Sequence, residues 1–161
     1  MIESLIVSPI ATLIAEFYKD DSKSKLFRAA IRDRLRREVR FNLEVFELLN
    51  EKKFPVESIL AAMEFSAISE LFHLPIPVQK ILNSHGLHDS AKAVLEQQYA
   101  IKQNKKHIAW AKTINNECEL LERIWQRIAV LRVRTTKEVG QGDVPYLLRL
   151  MHAFEATLRT E

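Results

Sequence analysis

The stretch DSKSKLFRAAIRDRLRREVRFNLEVFELLNEKK, residues 21–53, contains neither glycine nor proline, and its reading decides the fold. At about 100° per residue, Phe27, Ile31, Leu35, Val39, Val45, Phe46 and Leu49 gather on one broad face. Asp20, Asp21 and Ser22 supply the short polar side chains that open a helix. Phe54-Pro55 closes it, because the residue before a proline avoids helical dihedrals. The spacing therefore predicts a helix over about 22–53.

The charges of this helix are unevenly spread. Ten basic and six acidic residues lie between Asp21 and Lys53, and the acids gather late at Glu44, Glu47 and Glu51. Arg28, Arg32, Arg36 and Arg40 recur every four residues and Arg37 lies further round, which predicts an outward basic stripe. Such a stripe is either a solvated face paired with nearby acids or a grip on phosphate. Asp33 can reach Arg36 or Arg37, and Arg40 can reach Glu44, so the solvated face is preferred. Phe27, Phe41 and Phe46, which would strengthen a nucleic-acid surface, are assigned to the apolar side.

A second row is less ordinary. Arg34, Glu38 and Asn42, at spacing four and four, fall within the apolar face. Either they reach past its edge, or they form a polar contact network at a helix–helix or subunit contact. A buried charge there would be costly to unpair, and a buried asparagine can fix register. On the network reading, removing Glu38 destabilises far more than removing Glu47.

Elsewhere the same signals recur. Ser8-Pro9 predicts a helix through about Lys19, apolar almost all round at Leu5, Ile6, Ile10, Leu13 and Phe17, and so a candidate apolar contact. A third helix is expected from Pro55 through Phe72, broken by "HLPIP" with its two prolines. A short helix over about 77–84 follows, with Gly86 as its cap. From Ser90 to Val139 there is again no glycine or proline, which predicts one long helix over about 90–137, with weak points at residues 103–106 and 115–116. Asp143 opens a last helix with the stripe Leu147, Leu150, Met151, Phe154 and Leu158. The expected fold is all-α: a single domain spanning 1–161, a bundle of about six helices with the two long ones as an antiparallel spine.

Composition agrees. Of 161 residues 47% are hydrophobic and 28% charged, enough for a core and far from disorder, while three glycines and five prolines are too few for a sheet protein. The net charge of +3 is modest for a nucleic-acid binder. Cys118, the single cysteine, excludes an intrachain disulfide, and its acidic neighbours Glu117, Glu119 and Glu122 argue against a nucleophile. The apolar run at residues 5–15 falls short of the roughly 20 residues that cross a bilayer, and Glu3 replaces the basic start of a secretory signal. A cytoplasmic protein is expected.

No motif carries a reaction. His85 and His88 lack the further ligands that zinc requires, and a capping turn is the preferred account of HGLHD at 85–89. His73, His107 and His152 occur singly. No P-loop, dinucleotide fingerprint or nucleophile elbow occurs. Residues 78–99 have a weak helix-turn-helix outline without an arginine for base edges. The expectation is a non-catalytic, cofactor-free interaction or assembly module, self-associating or bound to another helical protein. The alternative is a nucleic-acid binder using Arg28, Arg32, Arg36, Arg37 and Arg40 with Lys105 and Lys106.

Overall fold

The computed structural model describes residues 17, 19–97, 105–134 and 143–159. Leu5, Ile6, Ile10 and Leu13 lie outside the described residues, as do most of the expected first helix and the Gly140 and Gly142 loop. Phe17 and Lys19 are described, and both are helical.

The fold is all-helical, with seven α-helices and no strand among the described residues. Helix α1, Asp21–Glu51, is the long helix read from the sequence. The Asp20 side chain caps it, accepting from the amides of Ser22 at 2.9 Å and Lys23 at 3.4 Å. At its far end Lys53 turns left-handed (φ 57°), and its amide donates to the Asn50 carbonyl at 3.0 Å. That reversal ends α1 two residues before the predicted limit and delivers the chain to Pro55.

The expected helix from Pro55 to Phe72 is two helices, α2 (Val56–Ala62) and α3 (Ser66–His73). The break has a packing cause. Met63 and Phe65 are both buried, yet a continuous helix would set residues two apart about 200° apart on its circumference. An extended Met63, with ψ 148°, turns both into the core. The following prolines leave a single 3₁₀ turn, Val78–Lys80, where a helix over 77–84 was expected. Ile81 and Leu82 are consecutive and both buried, an arrangement that an irregular chain satisfies better than a helix face. Gly86 does not adopt the left-handed conformation of a helix cap.

The expected helix over 90–137 is also divided. Helix α4 is Asp89–Glu96, α5 is Lys105–Ala111 and α6 is Glu117–Val133. His88, within the HGLHD turn expected to do capping work, caps α4: its Nδ1 accepts from the Ser90 amide at 3.2 Å. The break before α6 falls at one of the two suspected weak points. Asn116 accepts from the Glu119 amide at 2.9 Å, and Glu119 accepts from the Asn115 amide at 2.7 Å. This reciprocal cap is a strong helix start and outweighs the absence of glycine or proline.

The centre of the bundle is α7, Asp143–Leu158, and not a pair of long helices. It packs against α4, α6 and α1, whereas the 117–133 segment does not run along α1. The expected stripe Leu147, Leu150, Met151, Phe154 and Leu158 is buried in full, as are Val144, Tyr146 and Ala153 on its flanks. A helix apolar round most of its circumference belongs in the middle.

Candidate contact surfaces

A residue four positions on along an α-helix is rotated by about 40° from its predecessor, since four steps of about 100° overshoot one turn. Two rows of α1 therefore wind across its surface, and the direction of winding fixes what each member does. Arg34, Glu38 and Asn42 wind inward: the Arg34 side chain is 55% exposed, Glu38 is 7% exposed and Asn42 is fully buried. All three address α3 and the turn before it. Arg34 makes a two-pronged ion pair with Glu70, which raises the guanidinium pKa. The Glu38 carboxylate accepts from the amides of Ala67 at 2.6 Å and Ile68 at 3.1 Å and from the Ser66 hydroxyl at 3.2 Å. Asn42 accepts from the Glu64 amide at 2.8 Å and donates to the Glu64 carbonyl at 2.6 Å.

The chemistry is that of a borrowed cap. Phe65, at the N-cap position of α3, offers no side-chain oxygen, and a helix start leaves amides without partners. Glu38 satisfies two of them and sets its negative charge at the positive end of the α3 dipole. Asn42 pairs with Glu64 as one strand residue pairs with another. The row is thus an intramolecular contact between α1 and the α2–α3 turn.

The arginine stripe drifts in the same sense but starts beside the core, so its later members turn outward. Arg32 lies inside, its side chain 11% exposed, and grips Glu117 with two nitrogens at 2.7 and 3.1 Å. Glu117 also accepts from the Asn83 amide at 2.9 Å, so one buried carboxylate fastens α1, the 81–88 loop and the start of α6. Arg36 and Arg37 both pair with Asp33, whose carboxyl pKa they lower, Arg37 foremost. Arg40 pairs across to Glu155 of α7 at 3.0 Å, not to Glu44 within its own helix, and Glu155 also holds Arg159. Four of the five stripe arginines carry a carboxylate partner. Lys105 and Lys106 sit on α5, which packs on α4 and not on α1, so the fold does not align the two basic groups side by side.

Phe41, assigned to the apolar side from sequence, points outward and is 41% exposed. Leu26 and Leu48 are exposed as well. On the helical wheel these three and Ala30 lie within about 60° of one another, opposite Leu35, Val39 and Leu43. At Phe17, the described end of the expected apolar contact, the ring is buried and meets Phe27 edge-on at 5.5 Å. Beside Phe27 and Ile31 a cleft of about 190 Å³ opens between α1 and α3, rimmed by Arg34 and Glu70.

One cluster escaped the sequence reading. His107 of α5 is buried, stacks on Tyr146 of α7 at 4.5 Å and lies 3.1 Å from Asp143, which Arg134 also holds at 3.1 Å. The Arg127 guanidinium sits 4.3 Å from the Trp110 ring and 5.7 Å from that of Tyr146. Burial lowers the Arg127 pKa and raises that of Tyr146. Arg123 lies close enough to ease the Tyr146 hydroxyl, yet the hydroxyl completes no well-formed hydrogen bond, and neither does Arg127 Nε. The cluster joins α5, α6 and α7. The residues come from three separate stretches, and no spacing in the chain announces them. Cys118 is half-buried, and burial first, then Glu117 and Glu119, raise its thiol pKa to about 11.

Among the described residues no three metal-ligating side chains converge, and no helix is long and apolar enough to cross a membrane. No protein family, no curated protein and no solved structure matches this chain.

Proposed function

We propose that the chain is a non-catalytic helical interaction module that docks through the outer face of α1. One observation carries this reading: Leu26, Phe41 and Leu48 stand exposed in one row on the side of α1 opposite the core. These side chains are set among Asp33, Arg37 and Glu44 on the same side of the helix, a mixed apolar and charged surface whose apolar members would gain burial from a partner. The Arg34, Glu38 and Asn42 row is occupied within the chain, as a contact between helices, and leaves the docking surface to this other face.

A photoactivatable residue at position 41 tests the reading. Capture of a polypeptide partner through that position supports it, and absence of any captured protein in cells overturns it. The polyanion alternative has less support, because Arg32, Arg36, Arg37 and Arg40 are engaged by Glu117, Asp33 and Glu155. Heparin affinity at low salt measures the difference. We expect no retention of the wild-type protein at about 50 mM salt, where a phosphate grip is strong; firm, salt-sensitive retention would favour the alternative.

A further inference from the structure

We infer that residues 10–14, which lie outside the described residues, close the cleft between α1 and α3 by laying an apolar face into it, antiparallel to α1. The occupant is a segment of the same chain, and the inference stands apart from the docking face proposed above.

The cleft, of about 190 Å³, is apolar inside: Phe27, Ile31 and Leu35 of α1 face Ala67 and Leu71 of α3 and Leu74 just beyond it. Phe27, Ile31 and Leu74 remain half-buried, so apolar surface is left for an occupant to cover. The chain arrives at this site of its own accord. Asp20 is extended (φ −138°, ψ 114°) between helical Lys19 and the start of α1. Three residues before that reversal, the Phe17 ring already meets Phe27, seven residues after it. The chain before Asp20 is thus folded back along α1, toward the cleft. Phe17 is itself helical. A helix begun at Ser8-Pro9 and continued to Phe17 sets Ile10, Leu13 and Ile14 within about 60° of Phe17, with Ser8, Thr12 and Ala15 on the opposite side. The face that Phe17 lays on Phe27 is therefore the apolar one, and the back is small or polar, as a helix with one buried side requires. The length also fits. From Phe17 back to Ile10 a helix advances about 10.5 Å, the same distance as from Phe27 to Arg34. Leu13 then falls beside Ile31, and Ile10 reaches the Arg34 and Glu70 rim.

Cysteine cross-linking tests seating and register together, in a Cys118→Ser background. The Leu13→Cys/Ile31→Cys double variant is expected to close a disulfide within one copy under mild oxidation, read as the loss of both free thiols in a monomer. Ala15→Cys/Ile31→Cys, with its first position on the far side of the helix, is expected to keep both thiols. A second measurement uses the full chain and the apolar dye anilinonaphthalene sulfonate, which binds exposed apolar surface. Weak binding is expected for the wild-type protein, rising severalfold in Ile10→Asp/Leu13→Asp with its helical circular dichroism retained. Equal cross-linking from positions 13 and 15 would overturn the seating. A 13–31 bridge found only between copies would make the occupant a second chain and overturn the inference. Strong dye binding by the wild-type protein, with no bridge from position 13, would show the cleft open to an outside apolar ligand and overturn it as well.

Discussion

Glu38 spends both carboxylate oxygens on the first turn of α3, whereas Glu47, on the opposite side of α1, faces solvent. Glu38→Ala therefore removes a cap and leaves buried amides without partners. A loss of about 2 kcal/mol is expected, against less than about 0.5 kcal/mol for Glu47→Ala, read from thermal or urea unfolding. Equal melting temperatures would show that the carboxylate is dispensable. Cys118 offers a chemical check at the same scale. With its thiol pKa raised to about 11 the group stays protonated through neutral pH. Alkylation by iodoacetamide at pH 8 should be slow in the folded protein, accelerate as pH climbs toward that value, and be fast at pH 8 once the chain is unfolded in urea. Much at this scale was legible beforehand. Arg34, Glu38 and Asn42 stood out because their positions conflicted with the apolar wheel. Their partners could not be read, since residues 64–70 lie more than twenty positions away and nothing local binds them to the row. The stripe misled for a related reason: treated as a straight line it looked wholly outward, whereas its drift of about 40° per member carries Arg32 into the interior.

Elements begin and end where local chemistry and packing agree, and the helices here illustrate both outcomes. Asp20, Pro55 and Asp143 open helices where the sequence alone places them. The division between α2 and α3 has no local breaker; it arises because Met63 and Phe65 both need the core, which no periodicity over 55–72 reveals. The start of α6 was legible in principle, since Asn116 and Glu119 have the spacing of a reciprocal cap, but the long run free of glycine and proline concealed it. Lys53 is the element-scale feature most open to measurement. It holds a left-handed conformation that disfavours a side chain. Lys53→Gly should raise stability by about 0.5–1 kcal/mol, the relief of strain exceeding the added freedom of the unfolded chain. A lower urea midpoint would mean that the lysine contributes something the backbone does not show.

At the scale of the molecule, α7 is the post around which α1, α4 and α6 are arranged, and buried ions fix how they are arranged. Length without breakers suggested a spine of the two longest predicted helices. The near-continuous apolar circumference of residues 144–158 was the better indicator of the centre. Arg32 and Glu117 clamp the periphery of the assembly across 85 residues of sequence. Arg32→Ala would leave Glu117 buried beside the single Asn83 amide, and a loss of about 3–5 kcal/mol is expected in denaturant titrations. Arg32→Lys should recover only part of it, because an ammonium cannot reproduce the two-pronged grip. Full recovery would show that charge alone suffices.

The borrowed cap of α3 also has a bearing on the order of assembly. Helices of seven and eight residues, as α2 and α3 are, fall well below the length at which an isolated helix holds in water. The carboxylate that starts α3 belongs to a helix of 31 residues, long enough to form early. The hairpin of 56–73 thus has no competent nucleus of its own; α1 acts as its template, and a chain that reached residue 73 without a formed α1 would have nothing on which to wind its next two helices.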